Sequence, residues 1–336
     1  MVTRKDVASY AGVSPATVSN VINNKDMVSD KLRQRVLEAV EILNYQPNMV
    51  ARSLKTKATM QIALVGNDIT NEYYGEVALG MEQTASKAGY VVCTLNARND
   101  KDYVNELVKR QFDGIIMATD KIPVDNLNYL AQWNIPTVFI GNQEYVGIDK
   151  RITQIHIKPA YNGACRLFKY LIGLGHRRIG FISARMLKNI SDGDYRLKAY
   201  LDTLKEAQID IDDALVYWQG GSLEYAYDAT AKMLKGRGRP SAIFAGNDNQ
   251  ALAVLAAAKE LGFGVPCDLS VAGFDNIKVS KYYTPPLTTV DMPKSELGEK
   301  AVEVLLKRIN DKAVKNCTLD YDTHLIIRSS TGMLLE

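Results

Sequence analysis

Hydrophobic positions along the chain fall into two regimes. Up to about residue 45 they recur at helical spacing: Val7, Ala8 and Ala11, then Val18, Val21 and Ile22, then Leu32, Val36, Ala39, Val40 and Leu43. Thr3 and Ser29 stand where side-chain oxygens would cap the first and third of these helices. Ser14-Pro15 opens the second, with the serine positioned to accept from the amides of Ala16 or Thr17. Gly12 supplies the reversal between the first two, since a residue without Cβ takes positive φ freely. On the second helix the apolar face packs, while Ala16 and Asn20, four apart, share the opposite face.

Residues 46–60 (QPNMVARSLKTKATM) open on a proline, turn basic and read as a linker. From Gln61 onward, short β-branched runs alternate with amphipathic helices. The runs predict strands at 62–65, 91–95, 114–117, 137–140, 152–157, 179–182, 215–217, 242–245 and 271–273, with helices including 75–88, 162–174, 196–207, 226–234 and 250–261. This alternation predicts parallel sheets covered by helices on both faces. The strands outnumber the needs of one small sheet, so two similar lobes are expected.

Composition narrows the function. With 46% hydrophobic and 24% charged residues and no long apolar run or hydrophobic N-terminal core, the chain reads as cytoplasmic, without a membrane partner. Cys93, Cys165, Cys267 and Cys317 stand far apart, which suits a reducing compartment and argues against a metal or disulfide frame. The net charge of +3 is uneven: residues 1–60 carry nine Lys/Arg against five acids, so the rest is near neutral. A basic head fits a phosphate-binding module, although surface lysine usually serves only solubility. From pattern alone, the head could also be a three-helix interaction module without DNA affinity.

The residues themselves decide between these. RKDVASYAGVSPATVSNVIN followed by VSDKLRQRVLEAVEILNYQPNMVARSLKT resembles, nearly position by position, the headpiece of the lactose/galactose repressor (LacI/GalR) family. The resemblance continues through NDITNEYY, LGHRRIGFI, the AGND of 245–248, the AGFDN of 272–276 and the PPLTTV of 285–290, covering almost the whole chain. It implies an all-α helix-turn-helix headpiece plus an α/β two-lobe, periplasmic-binding-protein-like effector domain. The implied divisions are a DNA-binding headpiece (1–47), a hinge helix and linker (48–60), one effector subdomain from 61–157 with 291–318, and another from 158–290 with 319–336. The partners implied are palindromic operator DNA, a small effector and a second copy of the chain. No leucine-heptad tail follows Ser329, so a homodimer is expected.

By the same resemblance, the recognition helix beginning at Ser14 turns Pro15, Ala16 and Asn20 toward base edges. Thr17, Ser19, Asn23 and Tyr45 hold phosphates or neighbouring helices, and Thr3, Asn48 and Ala51 complete the DNA-contacting set. Family members commonly carry arginine where this chain has Asn20. Asparagine prefers adenine, so the usual operator consensus is in question. Residues 48–55 could make two helical turns, too short to persist alone, with Val50 and Leu54 stacked. In the family this segment folds against DNA beside its twin, and Leu54 stands at the position of the minor-groove wedge.

Effector candidates all follow strands or crossovers: Asp68, Tyr73 and Tyr74; Thr119 and Asp120; Arg196; Trp218; Asn247; Asp275; and Met292. Each has a structural alternative. Of Asn247 and Asp248, we assign helix capping to Asp248 and the cleft to Asn247; Arg196 with Asp275 could be an ion pair. Gly175-His176 reads as a turn into the next strand, and His156 and His324 as packing or surface residues, so no metal site is expected. The sequence departs from the family at Asn142, at Ile157-Lys158-Pro159, at Met292 in place of a frequent glutamine, and at Gly221 in place of an aromatic for which Trp218 could compensate. These features suit a sugar or sugar derivative; the alternatives are a nucleobase-type co-repressor or, with less support, a free sugar carrier. No Walker loop, GxGxxG or GxSxG is present, so neither an enzyme nor a cofactor is expected.

Overall fold

The computed structural model describes residues 2–22, 27–98, 100–119, 121–141, 145–157, 159–187, 194–310, 314–319 and 322–334. It comprises two compact units, 1–60 and 61–336.

In the first unit, α1 (Arg4–Ala11) begins with a capping box: the Thr3 hydroxyl accepts from the Asp6 amide, and the Asp6 carboxylate accepts from the Thr3 amide at 2.7 Å. Gly12 follows at φ 61°, and Arg35 donates to the Ala11 carbonyl at 2.6 Å, satisfying an orphan acceptor at the helix end. Next come α2 (Pro15–Ile22), α3 (Asp30–Ile42) and α4 (Met49–Thr56). Val7, Val18, Val21, Val36 and Ala39 form the small core, as the spacing predicts, joined by Tyr45. Ser29 stands at the start of α3 but makes no side-chain capping bond.

The second unit holds two parallel sheets. The first takes β1 (Gln61–Gly66), β2 (Val91–Asn96), β3 (Gly114–Ala118), β4 (Thr137–Gly141) and β5 (Ile152–Ile157), with helices α5 (Glu72–Ala85), α6 (Lys101–Lys109) and α7 (Val124–Gln132) between them. The chain then passes through α8 (Pro159–Gly173) into the second sheet. That sheet contains β6 (Ile179–Ile182), α9 (Tyr195–Glu206), β7 (Val216–Tyr217), α10 (Leu223–Lys235), β8 (Ala242–Ala245), α11 (Asp248–Glu260) and β9 (Ser270–Ala272). Through β10 (Thr289–Asp291) the chain returns to α12 (Lys294–Asn310) and β11 (Cys317–Leu319), and it ends past β12 (His324–Ile326).

Strand order is β11-β5-β4-β3-β1-β2 in the first sheet and β7-β6-β8-β9 in the second, while β10 and β12 pair antiparallel where the chain crosses. The strands of β1, β3 and β4 are buried runs of Ile, Leu, Val and Met, as helix-covered parallel strands must be. Helix α12, which the strand–helix pattern left unassigned, packs on α5. A Cβ at Gly80 would sit 2.0 Å from the Ser295 carbonyl oxygen, and one at Gly298 would sit 2.1 Å from that of Val77. Only glycine lets these two backbones come so close. The second lobe is built on rings: Phe168, Tyr200, Phe181, Phe244 and Phe274 form a chain of edge and stacked contacts ending beside Tyr195.

Candidate functional site

The N-terminal unit presents α2 and α4 as candidate nucleic-acid elements. Ser14, Pro15 and Ala16 are exposed, Thr17, Ser19 and Asn20 half-buried, and the Ser14 hydroxyl accepts from the Thr17 amide at 3.1 Å. The first turn of α2 therefore opens outward while Val18 and Val21 anchor it. Thr3 is exposed but committed to its cap. Tyr45 is buried in the helical core, the packing role of the two open to it. Asn23 lies outside the described residues. The 48–55 segment is helical: the Asn48 side chain accepts from the Ala51 amide at 3.1 Å, and Ala51 is exposed. Val50 and Leu54 are 69% and 80% exposed one turn apart, forming an exposed apolar stripe.

In the larger unit a cavity of about 200 Å³ opens between the lobes beyond the strand ends. It collects Asp68, Tyr73, Tyr74 and Thr119 from the first lobe, Arg196, Asn247 and Asp275 from the second, and Met292 at the crossover. Asp120 lies outside the described residues. Trp218 does not reach the cavity: its ring is half-buried against the core and its carbonyl accepts from Leu187 at 2.9 Å. Gly221 lines the wall where an aromatic is usual, and rings come instead from Tyr145 and Tyr195, which the sequence reading missed.

Asn247, not Asp248, caps α11, accepting from the Gln250 amide at 2.9 Å. Asp248 is wholly buried and reaches sideways, accepting from the Thr289 hydroxyl at 2.6 Å and the Ile277 amide at 2.9 Å. Burial drives its carboxyl well above the ordinary range. Asn247 both caps the helix and lines the cavity.

Arg196 pairs with Asp194, the residue that caps its own helix α9, not with Asp275. Its Nε lies 3.4 Å from Asp194, its Nη1 donates to the Gly246 carbonyl at 2.8 Å, and its guanidinium lies 4.7 Å from the Tyr195 ring centre. Burial alone would raise the Asp194 carboxyl, but Arg196 and Arg185 outweigh it and hold the carboxyl below its ordinary range. Asp275 is only 8% exposed, and among the described residues its carboxylate accepts no hydrogen bond. Burial pushes its carboxyl up to about 7, partly offset by Arg196 and Lys294 and reinforced by Glu76. Burial also raises the Tyr73 phenol, and that of Tyr74 to about 12, so both stay protonated at neutral pH. Tyr74 donates to the Ala118 carbonyl at 3.2 Å, and the Thr119 hydroxyl donates to Asn67. The cavity thus offers aromatic faces, the guanidinium groups of Arg185 and Arg196, and a buried acid whose pKa is raised to about 7.

His176 is structural, as the sequence suggests. It is buried, with Nδ1 2.9 Å from the Ser241 hydroxyl and Nε2 3.0 Å from that of Ser270, and burial lowers its basicity. Among the described residues no cluster of three His, Cys, Asp or Glu could hold a metal, and no helix is long and apolar enough to cross a membrane.

Residues 3–48 match the family described as bacterial regulatory proteins, lacI family, and 168–331 match the periplasmic binding protein-like domain. The chain is 36% identical over 337 residues to the HTH-type transcriptional repressor PurR of Proteus mirabilis, covering 99% of this chain and 97% of that one. It is 33% identical to the PurR of Mannheimia succiniciproducens, covering 98% of each. Among solved structures, the Lac repressor dimer bound to operator and the anti-inducer ONPF superposes with a TM-score of 0.81 at 28% identity, covering 98% of this chain and 99% of that one. A complex of the transcriptional regulator CelR with cellobiose superposes at 0.70 and 27%, covering 98% and 100%. With its helix-turn-helix unit and its two-lobe body so matched, the chain belongs to the LacI family and is a DNA-binding transcriptional repressor, not an enzyme.

Proposed function

We propose that the chain represses transcription in the cytoplasm as a homodimer on a palindromic operator, under the control of a nucleobase-type effector bound between the lobes. Each α2 would enter a major groove with Pro15, Ala16 and Asn20 toward base edges. The exposed Val50–Leu54 stripe of α4 would meet its twin and the minor groove, Leu54 acting as the wedge.

The observation that carries the effector class is full-length similarity to repressors named PurR, which favours a nucleobase over the sugar that the polar cavity first suggests. The walls fit that reading. Tyr73, Tyr74, Tyr145 and Tyr195 give faces for a flat heterocycle, and Arg196, Asn247 and Asp275 give donors and acceptors for its edges. Sugar complexes are known for CelR and for an Enterococcus faecium LacI-family regulator with bound ribose, at 27% and 26% identity.

The test is thermal melting of the full chain with free purine and pyrimidine bases against ribose, glucose and cellobiose. A ligand at a hundred times its Kd stabilises by about 2.7 kcal/mol, several degrees. Gel shifts with a selected operator then read the direction of control. Stabilisation by a sugar and by no base refutes the nucleobase assignment.

A further inference from the structure

One buried cation plays no part in the cavity wall and yet touches its most unusual corner. Lys294 is 4% exposed, at the first position of α12. Its ammonium donates to the Asp275 carbonyl at 2.5 Å, to that of Met292 at 3.2 Å and to that of Asn276 at 3.4 Å. Asp291 stands 3.6 Å away and Glu76, on α5, 4.0 Å away.

The corner it grips is strained. Asp275 has φ 103° and Asn276 φ 49°, conformations that residues with a Cβ adopt at a cost and keep only where the surroundings impose them. The corner follows β9 and belongs to the second lobe. Lys294 is mounted on the first: the glycine contacts at Gly80 and Gly298 seat α12 directly on α5, and α12 also packs on β3 and β4. A buried ammonium is held only by several good acceptors, so the two lobes must keep these carbonyls converged for Lys294 to stay buried.

We infer that Lys294 is a positioning residue for the effector cavity, clamping the Asp275–Asn276 corner of one lobe to the α5–α12 platform of the other so that the Asp275 carboxylate faces the ligand. This rests on reading the cavity as the effector site, but its tests need no effector. The other charged and titratable groups facing Asp275 are Arg196 and Tyr195 of α9, Tyr73, Tyr74 and Glu76 of α5, and Asp248 of α11. Of these, Glu76 and Asp248 oppose ionisation of Asp275 and Arg196 favours it, as Lys294 does.

Two measurements on the full, effector-free chain decide the matter. In K294M, amide exchange at Asp275 and Ile277, which donate to Val290 and Asp248, should accelerate at least tenfold, while Val271 in β9 keeps its protection. The pH midpoint of Asp275, read as the melting difference between each chain and its D275N counterpart, should rise by a pH unit or more in K294M and return toward wild type in K294R. If K294M does not fold, E76Q serves: removing that carboxylate should lower the midpoint and leave exchange at the corner protected. Unchanged exchange in K294M overturns the inference, as does a midpoint that moves in neither K294M nor E76Q. Failure of every base to stabilise the wild-type chain would refute the effector reading and leave these two results standing.

Discussion

Asp275→Asn should make the effector-free protein more stable at pH 8 and deaf to its effector. The carboxyl holds its proton to about pH 7 in the folded chain, against 3.8 as its ordinary value. Its stabilising contribution is therefore fully present below pH 3.8 and is lost as pH rises through 7, because the unfolded chain ionises first. That interval is worth at most about 4 kcal/mol at 1.36 kcal/mol per pH unit, and asparagine, always neutral, does not lose it. Water in the cavity screens part of this, so a gain of about 2 kcal/mol at pH 8 is expected, shrinking toward zero near pH 4. Trp133 and Trp218, the only tryptophans, both lie beyond residue 60, so tryptophan fluorescence in urea follows the effector-binding unit alone. A stability difference that does not change between pH 4 and pH 8 would refute the burial argument. A variant that still responds to effector would remove Asp275 from the ligand's contacts.

Leu54→Ala should weaken operator binding by about 2 kcal/mol through loss of a buried leucine in the groove. Binding to random duplex, which rests on phosphates, should change much less, and equal losses in a gel shift would rule out the wedge. Asn20→Arg should move the preferred base toward guanine at one symmetric pair of operator positions, as selection from a randomised duplex pool would reveal. Arg196→Ala leaves Asp194 buried beside Arg185 alone and removes one of the cavity's two guanidinium groups. It should abolish the effector response while operator binding persists, with about 1–3 kcal/mol lost in ligand affinity by calorimetry.

How much of this could be read from the sequence depended on the range of the interaction involved. Strands such as Ile152–Ile157 and Ala242–Ala245 are set by local runs of β-branched and apolar residues, and they appear where the runs predict them. Helix α12 carries Leu297, Ala301 and Leu305 at helical spacing and was readable in principle; β10, β11 and β12, at three residues each, have no period to read. The cavity was legible at strand ends, where topology dictates ligand binding. It was not legible where two neighbours compete for one role. Asn247 and Asp248 can each cap α11, and the choice was made by Thr289, far along the chain, whose hydroxyl draws Asp248 inward. Trp218 fails for the same reason, since the half-buried position of its ring against the core is a tertiary fact. Tyr195 had a signal that went unused: Asp194 caps α9 through the amides of Arg196 and Leu197, which places the next two side chains at the cavity.

The seam between the lobes also bounds how strongly effector and operator can be linked. A tenfold change in operator affinity requires about 1.4 kcal/mol of differential stabilisation, the scale of a single charge-assisted hydrogen bond that exists in one arrangement of the lobes and not in the other. One such bond joins the lobes outside the cavity: the Lys278 amide, past β9, donates to the Glu72 carboxylate at the start of α5, at 3.0 Å. Glu72 is only half-buried, so screening holds its worth to about 1 kcal/mol, or roughly fivefold. Glu72→Ala should therefore change the ratio of operator affinities with and without effector by about fivefold. Reciprocity then requires effector affinity, measured with and without operator, to change by the same factor. Fluorescence anisotropy on both legs of the cycle checks this. If the ratio is unaltered on both legs, the Glu72–Lys278 bond is present in both arrangements and the discriminating contacts lie elsewhere on the seam. If only one leg moves, a two-arrangement account of this repressor is wrong.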